Sequence, residues 1–353
     1  MLHPLLHSAP APARQTSSGA AQAPEMLGRG RPGGWGLDSR RPVCLINLST
    51  VTVICLPDVD AVKLVGDLPD GLEVVIWDGA GPPPAAVEFW VPTYMLADAT
   101  QRDAALAAMP ELHVVQLVSA GAEVWVGRIP PGVLLCDGRG IHGGSTAEWV
   151  LTAILAVLRE FPRFILDQQA RRWAPVITDE LAGKHVLVVG AGDLGENVAT
   201  RLRAFGASAV LVARRARDGV HAVGELPGLL PAVDIVVLVV PLTPETTGLV
   251  DSAFLAALPD GALLVNASRG PVVVTDALVA ELSSGRLRAA LDVTDPEPPP
   301  EDHPLWTAPN LLLTPHVGGN VRGFPKRAYR LVREQILRYA AGEPLLNVER
   351  DGY

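Results

Sequence analysis

Apolar positions in this chain fall into short runs separated by stretches of helical spacing. Strand-like runs are Val51–Leu56, Leu72–Trp77, Ala86–Val91, Leu112–Val118 and Val133–Cys136, with helical spacing at Asp58–Val65 and Ala97–Ala108 between them. Ser145–Arg159 then predicts a long helix, with Ser145 as N-cap and Glu148 three residues on completing a capping box. Beyond it the alternation is regular. Val186–Val189 predicts a strand, Leu194–Phe205 a helix, and Ala209–Ala213 and Asp234–Val240 two more strands. A helix around Ser252–Leu258 precedes strand Ala262–Asn266, helix Thr275–Ser283 leads to strand Ala289–Val293, and Asn310–Thr314 closes the series. Near-continuous apolar strands alternating with helices predict an α/β protein with doubly wound parallel sheets. Ala328, Leu331, Val332, Gln335, Ile336 and Tyr339 predict a terminal helix that packs back on the first half of the chain.

One turn in this pattern carries chemistry. Strand Val186–Val189 stops at Gly190, and Gly192 and Gly195 follow at G-x-G-x-x-G spacing before a helix. That context is what a dinucleotide-binding loop needs: Gly190 permits the turn, Gly192 lets a pyrophosphate approach the backbone, and Gly195 lets helix and strand lie close. The N–H groups at the helix start then face the phosphates.

Composition narrows the classes. At 353 residues, 48% hydrophobic and 19% charged, the chain suits two domains with a substantial core. A net charge of −9 argues against a nucleic-acid partner. Cys44, Cys55 and Cys136 have neither metal nor redox spacing and read as reduced thiols of a cytoplasmic protein. No H-E-x-x-H occurs, so no metal is expected. Trp149–Leu158, among the longest apolar runs, is too short to span a membrane, and the N-terminus lacks the apolar core of a signal peptide. Residues 1–42, rich in Pro, Ala, Gly and Ser and carrying five arginines against two acids, read as a disordered extension. A misassigned start codon is the plainer explanation of it and a basic tail the functional one.

Three strand ends deliver one cation, one carboxylate and one imidazole. They are Asn266-Ala-Ser-Arg269-Gly-Pro, Asp292-Val-Thr-Asp-Pro-Glu297-Pro and Thr314-Pro-His316-Val-Gly-Gly. Parallel strands bring all three to the sheet edge that holds the glycine loop. Those types suit hydride transfer to a 2-oxo acid. Arg269 forks to a carboxylate and polarises the carbonyl. His316 exchanges a proton with the carbonyl oxygen. Glu297 bonds the other ring nitrogen and orients the ring. Taken singly, each also has a structural explanation: a surface ion pair, a solvated loop acid, a loop histidine.

These motifs, with V-P-L-T-P-E-T at Val240–Thr246 and H-P-L-W at 303–306, resemble the D-isomer-specific 2-hydroxyacid dehydrogenases from about Ile54 to Val348, most strongly after residue 185. The resemblance implies Arg269, Glu297 and His316 as the catalytic trio. It implies a cofactor site of Gly190, Gly192, Asp193, Leu194, Gly195, Pro241, Thr246, Ala267, Asp292 and Gly318, with Asp292 on the nicotinamide side. It also implies a Rossmann cofactor domain (145–319) inserted into a flavodoxin-like substrate domain (43–144 plus 320–353). The Ser119-Ala120-Gly121 loop resembles the family's carboxylate-binding loop, although Glu123 stands where the family often has Asp. Glu297 argues against a formate-dehydrogenase-like member, where glutamine pairs with the histidine. A homodimer joined around the connector helix is expected.

The second strand of the cofactor domain ends at Ala213 with Arg214 and Arg215, where an NAD-specific site would place an acid. Guanidinium groups suit a 2′-phosphate, so NADP is expected, with NAD possible. Glyoxylate or hydroxypyruvate is the expected substrate, by analogy with NADP-preferring members. Two other readings are a nicotinamide-sensing corepressor-like protein and a reductase of a larger carbonyl compound. Trp90, Tyr94 and Trp125 could line a roomier pocket for the latter.

Overall fold

The computed structural model describes residues 51–93 and 98–349. The expected extension 1–42, Cys44 and Tyr94 lie outside the described residues. The first half of the described chain runs β1 (Thr52–Leu56), α1 (Val59–Val65), β2 (Leu72–Ile76), β3 (Val87–Trp90), α2 (Ala99–Ala107), β4 (Val114–Gln116) and β5 (Leu134–Cys136). Its five strands form a parallel sheet in the order β2-β1-β3-β4-β5, the flavodoxin-like arrangement. Helices α3 (Gly143–Leu158) and α4 (Phe161–Gln169) lead out of it.

The second half runs β6 (His185–Val189), α5 (Asp193–Ala204), β7 (Ser208–Ala213), β8 (Val220–Ala222), α6 (Leu226–Leu229), β9 (Ile235–Leu238), α7 (Ser252–Ala256), β10 (Leu263–Asn266), α8 (Thr275–Ser283), β11 (Arg288–Leu291) and β12 (Leu311–Leu313). Its seven strands order as β12-β11-β10-β9-β6-β7-β8, all parallel. Chain order reverses at β6, between β7 and β9, which is the switch point where a doubly wound sheet binds ligands. Both faces of this sheet are covered. Leu187, Val236 and Leu264 point to one core and Val186, Val188, Val237 and Val265 to the other. That two-sided burial is why these strands read as unbroken apolar runs.

The terminal helix α9 (Phe324–Ala340) buries Ala328, Val332 and Ile336 against Ile54, Leu56 and Phe89 of the first sheet. Gln335, fully buried, bonds Gln116 Oε1 and the Leu346 carbonyl, so its amide is satisfied where a charge would not be. The chain thus returns to its first sheet after building the second.

One expected cap is corrected. Helix α3 begins at Gly143, two residues before Ser145, with His142 at the N-cap and no side-chain cap bond. The Ser145 hydroxyl donates instead to the His142 carbonyl, and the Glu148 carboxylate faces Arg201. Gly143 and Gly144 take helical geometry and carry the helix past its apparent signal.

Candidate active site

The glycine loop sits as its spacing demands. An added Cβ on Gly195 would lie 1.9 Å from the Gly190 carbonyl oxygen, so helix α5 can meet the loop this closely only through glycine. Above Gly192 an added Cβ would meet nothing within 4 Å, leaving open space at the N-terminus of α5. A pyrophosphate fits that geometry. Asp193 turns its carboxylate to Asn197 and toward Gly143 of α3, so it offers the loop its backbone rather than its charge. Thr246 braces the Val240–Thr246 segment: its hydroxyl donates to the Pro241 carbonyl at 2.7 Å and accepts from Thr243 N.

Arg214 and Arg215 are exposed just beyond β7. Glu245 stands near Arg214, and its carboxyl is held below the usual range chiefly by the Thr243 hydroxyl, with Arg214 adding to the effect. Arg217 reaches further, and its guanidinium donates to the Ala191 carbonyl in the glycine loop itself. The run Arg214-Arg215-Ala-Arg217 contained that signal, but its geometry depends on the turn Arg217 makes with Val220.

The trio lies at the ends of three adjacent strands, β10, β11 and β12. Glu297 Oε1 is 2.6 Å from His316 Nδ1. A carboxylate accepts, so Nδ1 carries the hydrogen and Nε2 is left for another partner. His316 has a backbone φ of +53°, a conformation side chains adopt at some cost. Asp292 holds it there. That carboxylate, 4% exposed, accepts from the Thr314 hydroxyl (2.6 Å), Val317 N (2.9 Å) and Gly318 N (2.7 Å), while the Asp292 carbonyl accepts from His316 N. Asp292 therefore serves the His316 loop with both oxygens.

The Arg269 loop packs directly on the Glu297 loop. An added Cβ on Gly270 would lie 1.8 Å from the Thr294 carbonyl oxygen. Buried Asn266 shapes this turn, accepting from Ser268 and donating to the Arg269 carbonyl. Ala267 N continues the ladder to Leu238. From the first sheet, the Ser119-Ala120-Gly121 loop comes beneath the guanidinium: an added Cβ on Gly121 would lie 1.9 Å from Arg269 Nη2. The Ser119 hydroxyl donates to the Gly121 carbonyl and steadies the loop.

Two residues join these loops through contacts that the local sequence does not indicate. Glu123 Oε1 lies 3.4 Å from Arg269 Nε. The His142 ring lies between the Val118 carbonyl (Nε2, 3.3 Å) and the Gly319 carbonyl (Nδ1, 3.4 Å), stacked on Phe324 at 4.8 Å. Its partners are 24 and 177 residues away, beyond any periodicity. Trp90 and Trp125 do not line a pocket: they are 0% and 5% exposed and pack edge to face in the first core. Among the described residues no helix is long and apolar enough to cross a membrane, and no group of three His, Cys, Asp or Glu could hold a metal.

Residues 151–318 match the family model of the D-isomer-specific 2-hydroxyacid dehydrogenase NAD-binding domain. The glyoxylate/hydroxypyruvate reductase A of Serratia proteamaculans is 33% identical over 225 residues, covering 62% of this chain and 71% of that protein. The chain belongs to the D-isomer-specific 2-hydroxyacid dehydrogenases. Its fold matches that of a family member from Xanthobacter autotrophicus Py2, in complex with NADPH and MES, with a TM-score of 0.74 and 32% identity over 86% of this chain and 98% of that one. The D-3-phosphoglycerate dehydrogenase of Mycobacterium tuberculosis is 34% identical over 309 residues, which span 83% of this chain but only 58% of that enzyme. Membership makes the chain an oxidoreductase of 2-hydroxy acids with a nicotinamide-dinucleotide domain.

Proposed function

We propose that this dehydrogenase reduces a small 2-oxo acid, glyoxylate or hydroxypyruvate, to the D-2-hydroxy acid with NADPH. The observation that carries the reading is the Glu297–His316 pair, which leaves Nε2 to meet substrate, on a loop touching that of Arg269. Arg269 and the amides of Ser119–Gly121 take the substrate carboxylate, and the same guanidinium polarises the adjacent carbonyl. The bound nicotinamide supplies the hydride to the carbonyl carbon. His316 Nε2 gives its proton to the carbonyl oxygen, and Glu297 stabilises and orients the imidazolium before transfer. The His316 side chain is 46% exposed, so solvent can restore the proton. The reverse reaction uses the neutral ring as base.

Arg214, Arg215 and Arg217 support NADPH over NADH, since they follow β7 where an NAD-specific site would carry an acid, and guanidinium groups suit a 2′-phosphate. The NADPH-bound Xanthobacter enzyme agrees with this. Asp292 and Gly318 serve the nicotinamide end through the shared loop, and Pro241 and Thr246 the phosphate end. We take the second sheet, residues 145–319, as the cofactor domain inserted into a substrate domain of 43–144 and 320–353. We also propose a cytoplasmic homodimer. Free, buried Cys55 and Cys136 suit a reducing compartment. Phe161, Ile165 and Leu166 on α4, and Trp173 and Ile177 beyond it, are exposed apolar side chains that a second copy would cover.

The test is NADPH oxidation, followed by absorbance, against a panel of 2-oxo acids. Glyoxylate or hydroxypyruvate should be turned over, and His316→Ala should lose ~10²–10⁴-fold in kcat. No turnover of any acid, or an equally active His316→Ala protein, would overturn the proposal.

A further inference from the structure

Arg269 can receive a carboxylate only if its fork is held in one plane, and the structure places a holder for it on the other side of the cleft. Glu123 follows the Ser119–Gly121 loop of the first sheet. Its Oε1 lies 3.4 Å from Arg269 Nε and 3.5 Å from Leu242 N, both on loops of the second sheet. At the opposite edge of the guanidinium, Nη1 donates to the Ser268 carbonyl at 2.7 Å. Nη2 lies over Gly121. The guanidinium has five N–H groups in a rigid fork. Nε has one, and its nitrogen is ion-paired with Glu123. One of the two on Nη1 faces Ser268. A planar group hydrogen-bonded through Nη1 and ion-paired through Nε is restricted about its last torsion, which favours one direction for the remaining N–H groups. The side chains of Arg269 and Glu123 are 35% and 20% exposed, which leaves the pair reachable from the cleft while partly shielding it.

We propose that Glu123 is a positioning residue that sets the Arg269 fork for the substrate carboxylate, and that its length matters more than its charge. The proposal rests on the reading of Arg269 as the carboxylate-binding cation. Aspartate would shorten the reach by about 1.5 Å, one C–C bond, and would release Nε and Leu242 together. Glutamine keeps both the reach and an acceptor oxygen. The charge of Glu123 alone would give the opposite ranking, because aspartate retains it.

The experiment compares E123D and E123Q in the full chain with NADPH. Positioning predicts that E123D raises the KM for glyoxylate at least tenfold, with a smaller change in kcat, and that E123Q raises it about threefold or less. Reduction of methylglyoxal, which lacks the carboxylate, should change little in E123D, whereas a merely structural defect would lower both activities together. Oxamate binding to the NADPH complex, measured by calorimetry, should weaken in E123D in the same proportion and gives a readout without turnover. Equal losses in the two variants, a larger loss in E123Q, or wild-type behaviour of E123D would overturn the proposal. If the wild type reduces no 2-oxo acid but E123D alone weakens oxamate binding, the catalytic reading fails and the positioning role stands. A wild type that does neither overturns both.

Discussion

Asp292→Asn is the substitution whose cost can be worked most closely from the structure. The carboxylate is buried and accepts three hydrogen bonds, two through Oδ1 and one through Oδ2. All three donors belong to the loop that holds His316. An amide offers one oxygen and one NH₂, so whichever way it sits, a donor of the loop faces a donor. One buried N–H left without an acceptor costs about 1–3 kcal/mol, and loss of charge assistance weakens the surviving bonds by about 1 kcal/mol each. A total near 3 kcal/mol falls on a loop that already carries a left-handed φ at His316. At about 1.4 kcal/mol per decade, that is enough to lower kcat about 100-fold, if the loop spends correspondingly less time in its working geometry. The assay is steady-state glyoxylate reduction alongside thermal melting of the same sample. A kcat within threefold of wild type, in a folded protein, would refute the argument that Asp292 holds the histidine in place.

Three further outcomes follow from separate contacts. Gly270→Ala would drive a methyl group into the backbone of Thr294 and Asp295; it should destabilise the fold by about 1–3 kcal/mol or more and separate the Arg269 and Glu297 loops, read as a lower Tm with kcat reduced at least tenfold. Burial, with smaller effects from Arg327 and Arg269, holds the His142 pKa below its ordinary value despite the two carbonyls that oppose it. The unfolded chain then binds the extra proton, so this stability is complete above about pH 6.5 and falls as pH drops below it; in urea titrations at pH 7 and pH 5, His142→Gln should show a smaller loss than wild type. Replacing Arg215 and Arg217 by Ala should raise the KM for NADPH at least tenfold and that for NADH about twofold, and equal changes in the two would remove the 2′-phosphate assignment.

The parallel sheets were legible because their strands are buried on both faces, so Val186–Val189 and Leu263–Asn266 announce themselves without periodicity. The placement of Arg269, Glu297 and His316 at neighbouring strand ends was legible because parallel strands send all their carboxyl ends one way. Shorter features were not. Edge strand β8, three residues long, has too little apolar sequence to register, and α4 is amphipathic with its apolar side exposed. The start of α3 was misplaced because Ser145 and Glu148 mimic a capping box while Gly143 and Gly144 adopt the helix anyway. Glu123 and His142 act through partners on the other sheet's loops, and no local pattern encodes a contact 146 residues away. The role of Asp292 was half visible. Its place at the end of β11 was clear, but both oxygens serve the neighbouring strand end, which only the folded sheet brings near.

A crystal structure of the protein with NADPH and oxamate would test the central claim most directly. The account predicts the oxamate carboxylate on Arg269 and the Ser119–Gly121 loop, the oxamate carbonyl oxygen within about 3.2 Å of His316 Nε2, and the nicotinamide C4 facing the carbonyl carbon. Oxamate held away from Arg269, or His316 Nε2 turned from the carbonyl while Nδ1 leaves Glu297, would contradict it.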